Sequence, residues 1–386
     1  MQEPRKAHLR LLAASHAMNH VYQLVTPVLV PAITVEYGIL NAGILSLCFW
    51  LSYSLLPILF GYLSQTFGSR GLLTFGFVAT ALAFLAIGFT TNFAILAMLF
   101  FVAGVGGATY HPNGMPLLAE TYPTSRGQTL GLHQTGGAIG SFVGPFAAGL
   151  LAQNFTWRPT MIFMALPGLV LAAILWFSIS PAPAAANNVR QEKSRIKMSN
   201  LKTYGPAALF MAAAFIYVLG QRGTDTFANE YFTLGRGIEI AEASLLFSVL
   251  KVAGLFSAPV CGKLSDSYGR KRVLIALVII EAISLYFLTT TPTMLLVVPC
   301  IVFGFAAFGL LTVGEAWLAD LTPEKQRKTI FGINLTINFS PYIILTPALF
   351  GIADVYGNYD IGFVALSGLM LLSIPLVLKI KAKTSH

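Results

Sequence analysis

Four polar side chains interrupt the first long apolar stretch of the chain at the spacing of one helical face. They follow one another at intervals of three or four residues and are His16, Asn19, His20 and Gln23. Imidazole and amide groups can hydrogen-bond a polar solute, and histidine also changes charge near physiological pH. In a membrane-spanning helix such a stripe is costly against lipid, so it predicts an interior cavity.

Two later apolar stretches carry groups of the same kind. They are Tyr110, His111 and Asn113 in one stretch and His133 and Gln134 in the next. We predict that these side chains converge with the first four on one solute-binding site. The alternative is that they only join helices through satisfied hydrogen bonds, as small polar residues often do within membranes.

The histidines in the first half of the chain are also of a residue type that commonly binds metal ions. His16 and His20 are four residues apart, so their rings can share one ion if both lie on a helix. Without carboxylate or thiolate support, however, this spacing is weak evidence for a metal site. The sequence therefore predicts no bound metal, and it shows no motif for another cofactor.

The second half of the chain places charges inside apolar stretches. Lys251 lies near the middle of one of them, where a cation costs about 2.5–3.5 kcal/mol to insert. Arg222 and Asp225 are one turn apart and can neutralise each other. Our preferred hypothesis is that Lys251 and Arg222 attract an anionic or strongly polar solute; the alternative is a structural ion pair between Lys251 and Glu281. Two further amides would add hydrogen bonds: Asn334 and Asn338.

Three groups are candidates for carrying protons, because they are titratable and lie within apolar stretches. They are Asp225, Glu315 and His111. A nucleotide-driven mechanism is not predicted, since the Gly-Lys pair at 262–263 lacks the surrounding pattern of a phosphate-binding loop. Energy must then come from an ion gradient or from the solute itself.

The composition of the chain identifies the solvent of these elements as lipid. Of 386 residues, 56% are apolar and only 10% are charged, against roughly 25% charged in soluble domains. A soluble enzyme and a disordered chain are both excluded by this balance. The net charge of +9 does not indicate nucleic acid, because the cations lie in short loops between apolar stretches. The three cysteines form no metal-like or disulfide pattern.

The apolar stretches predict an all-α membrane protein with twelve transmembrane helices, since about 20 residues cross the hydrocarbon core. We place the spans at 9–36, 42–66, 71–91, 93–119, 127–152, 157–180, 203–232, 240–266, 273–291, 294–320, 328–353 and 358–379. The polar segment 181–202 is predicted to be a cytoplasmic linker. It would separate an N-terminal six-helix bundle, 1–180, from a C-terminal one, 203–386.

Lysine and arginine are distributed unequally between the two sides of these spans. If the N-terminus is on the cytoplasmic side, 20 of the 24 lysine and arginine residues lie at cytoplasmic positions. The exceptions are Arg158, Arg222, Arg236 and Lys251. Because cytoplasmic loops carry the excess of cations, we predict that both termini are cytoplasmic and that the protein spans the cell (inner) membrane.

The two halves repeat one another. A shift of 201 residues aligns the loop after span 2 with the loop after span 8 without a gap. The glycines permit tight turns, and the cationic ends can meet a helix C-terminus or a carboxylate across the bundle interface. Such contacts would suit a gate that breaks and re-forms. The gating residues predicted on this basis are Gly61, Gly68, Arg70, Gly262, Asp266, Gly269 and Arg270.

These two loops resemble the signature loop of the major facilitator superfamily. They run GYLSQTFGSR at 61–70 and GKLSDSYGRK at 262–271. The first has Gln65 where an acidic residue is usual, whereas the second keeps Asp266. The resemblance covers the whole chain and implies two pseudo-symmetric six-helix bundles that rock about a central site, the major facilitator fold.

Three further segments resemble the fosmidomycin-resistance branch of drug exporters within that superfamily. They are SHAMNH at 15–20, YHPN at 110–113 and QTGG at 134–137, the last running on to Gly144 and Pro145. The branch usually has Asp at the position of His20 and Glu at that of Asn113, so this chain lacks two carboxylates there. The resemblance implies efflux by an antiporter that exchanges its solute for protons.

The sequence thus predicts a monomeric secondary transporter of a small polar or anionic solute, with protons and the lipid bilayer as its other partners. An importer of small organic or phosphorylated anions is the main alternative. A transition-metal transporter, a sensor that moves nothing and a membrane enzyme are less favoured. No nucleophile and base pair stands out at membrane depth to support an enzyme.

Overall fold

Helices make up all the regular secondary structure that the computed structural model describes, which covers residues 3–122, 126–179, 201–323 and 326–381. A backbone in lipid must satisfy its hydrogen bonds internally, and a helix does so within one segment. Ten of these helices are long and apolar enough to cross a membrane. The first helix is not among them, although it is 35 residues long, because it carries the polar stripe.

Seven helices form the first six crossings. They are α1 Glu3–Tyr37, α2 Ile39–Leu55, α3 Pro57–Ile87, α4 Phe93–Gly107, α5 Tyr110–Thr121, α6 Arg126–Phe155 and α7 Trp157–Ser178. Gly68 has φ 70° and ψ 152°, so α3 is two helices joined at a sharp turn. Span 2 is therefore α2 with the first part of α3, span 3 is the rest of α3, and span 4 is α4 with α5.

Nine helices form the other six crossings. They are α8 Leu201–Glu230, α9 Ile240–Val252, α10 Gly254–Tyr268, α11 Arg270–Thr290, α12 Val297–Leu321, α13 Arg327–Phe339, α14 Pro341–Tyr356, α15 Asp360–Leu371 and α16 Ser373–Lys379. Spans 8, 11 and 12 each consist of two successive helices. The prediction of twelve transmembrane helices in two bundles is confirmed. The predicted linker lies outside the described residues, except that α8 already begins at Leu201.

The repeat in the sequence is also a repeat in the backbone and its contacts. Gly269 has φ 89°, matching the turn at Gly68. A cation follows two residues after each of these glycines. Arg70 Nη1 donates to the carbonyl of Ile179 at 3.0 Å, and Lys271 Nζ donates to that of Ile380 at 3.1 Å. Each cation thus lies at the C-terminus of the last helix of its own bundle, where the helix dipole is negative. We call the end of the molecule that holds these loops the basic side.

The two bundles meet in the half of the molecule away from the basic side, which we call the opposite side. Helix α2 packs against α14, and α6 packs against α9. Hydrogen bonds cross between the bundles in this half; two of them, Thr34 to Glu230 and Gln153 to Glu239, are each 2.8 Å long. Gly149 allows the close approach, because a Cβ there would lie 2.2 Å from Ser244 Oγ.

Candidate functional site

A cluster of histidine and tyrosine rings lies inside the N-terminal bundle. His16 stacks on His133 with ring centroids 4.2 Å apart, and it lies 4.8 Å from His20 and 5.7 Å from His111. The Tyr110 ring is nearly parallel to both stacked rings, 5.4 Å from His16 and 6.0 Å from His133. Helices α1, α5 and α6 thus bring together histidines that are up to 117 residues apart in sequence.

Hydrogen bonds to the backbone fix two of these rings. His16 Nδ1 donates to the carbonyl of His133 at 2.9 Å, which leaves its Nε2 as an acceptor. His20 Nε2 donates to that atom at 3.1 Å. The Tyr110 hydroxyl donates to the carbonyl of Leu12 at 2.9 Å, so His133 Nε2 donates to the hydroxyl oxygen at 3.0 Å. The arrangement leaves His20 and His111 as the partly exposed members.

The glycines of α6 make this cluster possible. A Cβ on Gly137 would lie 2.6 Å from His16 Cε1, and one on Gly140 would lie 2.0 Å from the carbonyl oxygen of Ala17. Both positions therefore require glycine for α6 to pack closely against α1.

The other residues predicted for this half have different surroundings. Asn19 is buried and lines a small recess of about 180 Å³ with Tyr110. Gln23 is buried one turn further along α1, next to His20. Asn113 Nδ2 donates to the carbonyl of Thr109 at 2.7 Å, so its amide is committed to its own helix. Gln134 is exposed on α6.

Asp225 is the centre of a charged cluster in the C-terminal bundle. It forms ion pairs with Lys251 and, at 3.2 Å, with Arg222, and it accepts a hydrogen bond from Tyr342 at 2.6 Å. Arg222 Nε also donates to the carbonyl of Asn338 at 2.9 Å. Two cations share one carboxylate, so the cluster keeps one net positive charge.

Lys251 therefore pairs with Asp225 and not directly with Glu281. Glu281 on α11 is fully buried, and neither of its carboxylate oxygens has a hydrogen-bond partner among the described residues. It remains within electrostatic range of Lys251 and Arg222. The alternative prediction of a structural ion pair between Lys251 and Glu281 is therefore wrong. The two residues interact only at longer range.

A recess of about 290 Å³ opens beside the Asp225 cluster. Three residues predicted to bind the solute, Arg222, Asn334 and Asn338, line it together with Glu315, a predicted proton carrier. Glu315 is exposed there, whereas both asparagines are buried and each has an amide oxygen without a partner in the described structure. Two polar residues of this wall were not predicted: Tyr217 and Gln221.

The two clusters face each other across the bundle interface. His111 lies 6.4 Å from the Phe339 ring, and the Arg222 guanidinium stacks over the same ring at 4.9 Å. His20 is also within electrostatic range of Lys251. Trp50 and Tyr342 stack at 3.7 Å, nearly parallel, and so join span 2 to span 11 beside the clusters. A solute between the bundles would touch imidazoles on one wall and cations on the other.

Sequence reasoning missed three residues at the interface. Trp50 and Tyr342 looked like ordinary apolar packing, and only their contact across the bundles reveals their position. Glu230 is fully buried, and one of its oxygens accepts from Thr34 while the other has no partner in the described structure. Its place at the end of an apolar span was the signal that could have identified it.

The predicted gating residues lie at the basic side and contact their own bundles. Arg270 bridges Asp266 at 2.6 Å and Asp320 at 3.3 Å. Gly61 and Gly262 provide equivalent carbonyls, which accept from Ser64 at 2.7 Å and Ser265 at 2.8 Å. No hydrogen bond from these loops to the other bundle is present in the described part of the chain.

Comparison with known proteins gives the family. The sequence pattern of the Major Facilitator Superfamily matches residues 12–254 and 210–386. The chain belongs to the Major Facilitator Superfamily. It is 25% identical over 270 residues to an uncharacterised transporter of this type, YybF of Bacillus subtilis, in a match that covers 68% of this chain and 65% of that protein.

A second relative and a solved structure extend the comparison. The nitrite extrusion protein of Bacillus subtilis is 27% identical over 346 residues, covering 84% of this chain and 81% of that protein. A bacterial homologue of the human lysosomal transporter Spinster, in an inward-facing and occupied conformation, superimposes with a TM-score of 0.82 at 15% identity over the whole of both chains. These superfamily proteins are transporters, so the membrane-enzyme alternative is set aside.

Proposed function

We propose that this protein is a secondary active transporter that moves a small polar or anionic solute by alternating access. The observation that carries the proposal is the pair of facing clusters, imidazoles on one bundle and an Asp225-centred group with net positive charge on the other. The bundles touch beyond these clusters on the opposite side, so the site would open toward the basic side. Rocking of the bundles would then expose it to the other compartment.

The proposed solute class follows from the charge of the C-terminal wall. Asp225 neutralises only one of the cations Arg222 and Lys251, and Glu315, another carboxylate of this wall, is exposed, so the Asp225 cluster keeps a positive charge in a region of low dielectric. The amides of Asn334 and Asn338 could orient a bound group through hydrogen bonds. An anion, or a solute with an anionic group, fits this wall better than a cation.

We propose export in exchange for protons. Asp225, Glu315 and His111 are the candidate proton carriers, and the resemblance to the fosmidomycin-resistance branch supports antiport. The nitrite extrusion protein, an exporter by its name, supports the same direction. Import of small organic or phosphorylated anions is the competing proposal, since the same cationic wall would serve it equally well.

We also propose the placement of the chain in the cell membrane. The excess of Lys and Arg at the basic side supports a cytoplasmic location for that side and for both termini. Residues 1–180 and 203–386 would then act as the two moving bodies, joined by the segment 181–202. A monomer contains both walls of the site, so no second copy is required to complete it.

Flux into proteoliposomes tests transport and direction together. Vesicles with an acidic lumen should accumulate an anion if protons leave as it enters, whereas an acidic exterior should drive uptake only if both move together. Nitrite and the phosphonate fosmidomycin are suitable probes. Uptake driven by external acid would overturn the export proposal, and no flux of any anion under either gradient would count against transport of this class.

Replacement of Lys251 separates a solute-binding role from a structural one. Lys251→Met should reduce anion flux at least tenfold while the protein remains folded, because the cation that attracts the solute is lost. Lys379→Met, at an exposed position on α16, is the matched control and should leave flux unchanged. Normal flux by Lys251→Met with a lowered melting temperature would show that the lysine only stabilises the bundle.

A further inference from the structure

The N-terminal cluster has the geometry of a metal site that its sequence spacing alone did not predict. One ring nitrogen from each of His16, His20 and His111 lies within 4.8 Å of the other two. A tetrahedral ion with Zn–N bonds of 2.0–2.1 Å holds its ligand nitrogens about 3.3 Å apart. The Nε2 atoms of His16 and His20 are already 3.1 Å apart.

His16 also has the tautomer that a metal ligand needs, with its hydrogen on Nδ1 and its Nε2 free to bind. Its Nδ1 donates to the carbonyl of His133, so its Nε2 presents a lone pair toward His20 Nε2. Metal-bound histidines usually donate their second ring N–H in this way, which orients the ring and raises its basicity. Stacking on His133 at 4.2 Å and contact with Gly137 hold the ring further in place.

We infer that His16, His20 and His111 bind one divalent transition metal of the zinc class, with a fourth position open to the cavity. Three neutral imidazoles suffice for such sites, so the missing carboxylate and thiolate are no obstacle. The ion would occupy the space of the proton that His20 Nε2 now donates to His16, and that proton would move to His20 Nδ1. His111 would have to approach by about 1.5 Å, which its partly exposed position permits.

Charge balance determines what fills the fourth position. The Asp225 cluster on the opposite wall carries one net positive charge, so its cations Arg222 and Lys251 would repel a bare dication. An anionic group between the metal and Arg222 would satisfy both walls. This step rests on the proposed function and deepens it: the solute would be an anion that coordinates a transition metal, such as a carboxylate- or phosphonate-bearing chelator.

Cobalt binding to the purified full-length protein tests the metal site without any transport assay. The protein should be isolated through a histidine-free tag, because a polyhistidine tag would bind the ion itself. We expect one Co²⁺ per chain with the visible absorption of a four-coordinate ion, displaced by Zn²⁺. His20→Gln and His111→Gln should each weaken binding at least tenfold, whereas His8→Gln, on the same helix as His20, should not.

Replacing a ligand with cysteine distinguishes direct coordination from a folding effect. In His20→Cys the thiolate should bind Co²⁺ and produce a sulfur-to-cobalt charge-transfer band in the near ultraviolet, absent from the wild type. Acetate should shift the visible Co²⁺ spectrum of the wild type and do so more weakly in Arg222→Gln.

Three results would overturn the metal site: no saturable Co²⁺ binding, wild-type affinity in both glutamine variants, or a folded His20→Cys protein without the band. A spectrum insensitive to acetate would overturn the anionic fourth ligand alone. Because these measurements need no flux, Co²⁺ binding by a protein that transports no anion would refute the proposed function and leave the metal site standing.

Discussion

At the scale of single residues, Asp225 determines whether the C-terminal wall can hold its charges. It is 5% exposed and is the ion-pair partner of both Arg222 and Lys251 among the described residues. Burial of a charge is tolerated only when it is paired and hydrogen-bonded. The cluster is therefore a structural unit as well as a candidate binding surface, and substitutions should be interpreted with both roles in mind.

Asp225→Asn should destabilise the protein more than Lys251→Met does. Removing the carboxylate leaves two buried cations without a counter-charge, which costs about 3–5 kcal/mol in comparable buried pairs, whereas removing Lys251 leaves the Arg222–Asp225 pair intact. Melting temperatures in detergent would measure the difference. The double variant Asp225→Asn with Lys251→Met should recover part of the loss, and a double variant that melts below both single ones would contradict this account.

At the scale of elements, the packing of α6 on α1 positions the histidine cluster. Gly140→Ala places a methyl group 2.0 Å from a backbone oxygen of Ala17, which cannot move without moving α1. We expect a loss of about 1–3 kcal/mol of stability, as for overpacked cores. Gly131→Ala is the matched control on the same helix, since nothing lies within 4 Å of its Cβ position, and it should be neutral or gain up to about 1 kcal/mol.

The cationic ends of the two repeated loops should stabilise the last helix of each bundle. Arg70→Met and Lys271→Met each remove a donor to C-terminal carbonyls, of Ile179 and Ile380 respectively. Contacts of this kind contribute about 0.3–1 kcal/mol, so each variant should melt slightly lower than the wild type. Unchanged melting of both variants would show that these side chains do not act as caps, and gating would remain as the predicted role of Arg70.

At the scale of the whole molecule, the contact on the opposite side sets which compartment the site faces. Gly149 of α6 allows that contact because even a Cβ would meet Ser244 of α9. Gly149→Val should separate the bundles there and shift the population toward a state open on the opposite side. Gly351→Val is the control, since its Cβ position is free.

Labelling of a single cysteine at Thr34 would report this shift. Thr34 donates to Glu230 across the closed interface, so a membrane-impermeant maleimide added from the opposite side should react faster in the Gly149→Val background. Equal labelling rates in the Gly149→Val and Gly351→Val backgrounds would refute the idea that packing at Gly149 controls opening.

The sequence predicted the elements well because lipid imposes strong rules on composition. A span must be apolar and about 20 residues long, so all twelve crossings could be placed from hydropathy, although the breaks within spans 2, 4, 8, 11 and 12 could not. The repeat was visible because the tight turn at Gly68 and Gly269 requires the same residue in both halves. Which polar groups face the interior followed from the cost of facing lipid.

Pairings between distant side chains could not be predicted in the same way. Arg222 and Asp225 are local partners on one helix, but the pairing of Lys251 with Asp225, and not with Glu281, depends on how α8, α9 and α11 are rotated against one another. Likewise His16 and His20 were recognisable as a pair from spacing, whereas the approach of His111 required the close packing of α1, α5 and α6.

The sequence by itself determined that the chain lies in lipid, crosses it twelve times in two related halves, and carries polar groups that lipid excludes. These properties depend on the free energy of transferring each segment from water to hydrocarbon. That free energy is a sum over the residues of the segment itself. Only the tertiary structure decided which of those groups meet, because a shift of one residue in helix rotation changes the side chain that a neighbour contacts. The triad of histidines and the carboxylate shared by two cations belong to that second level.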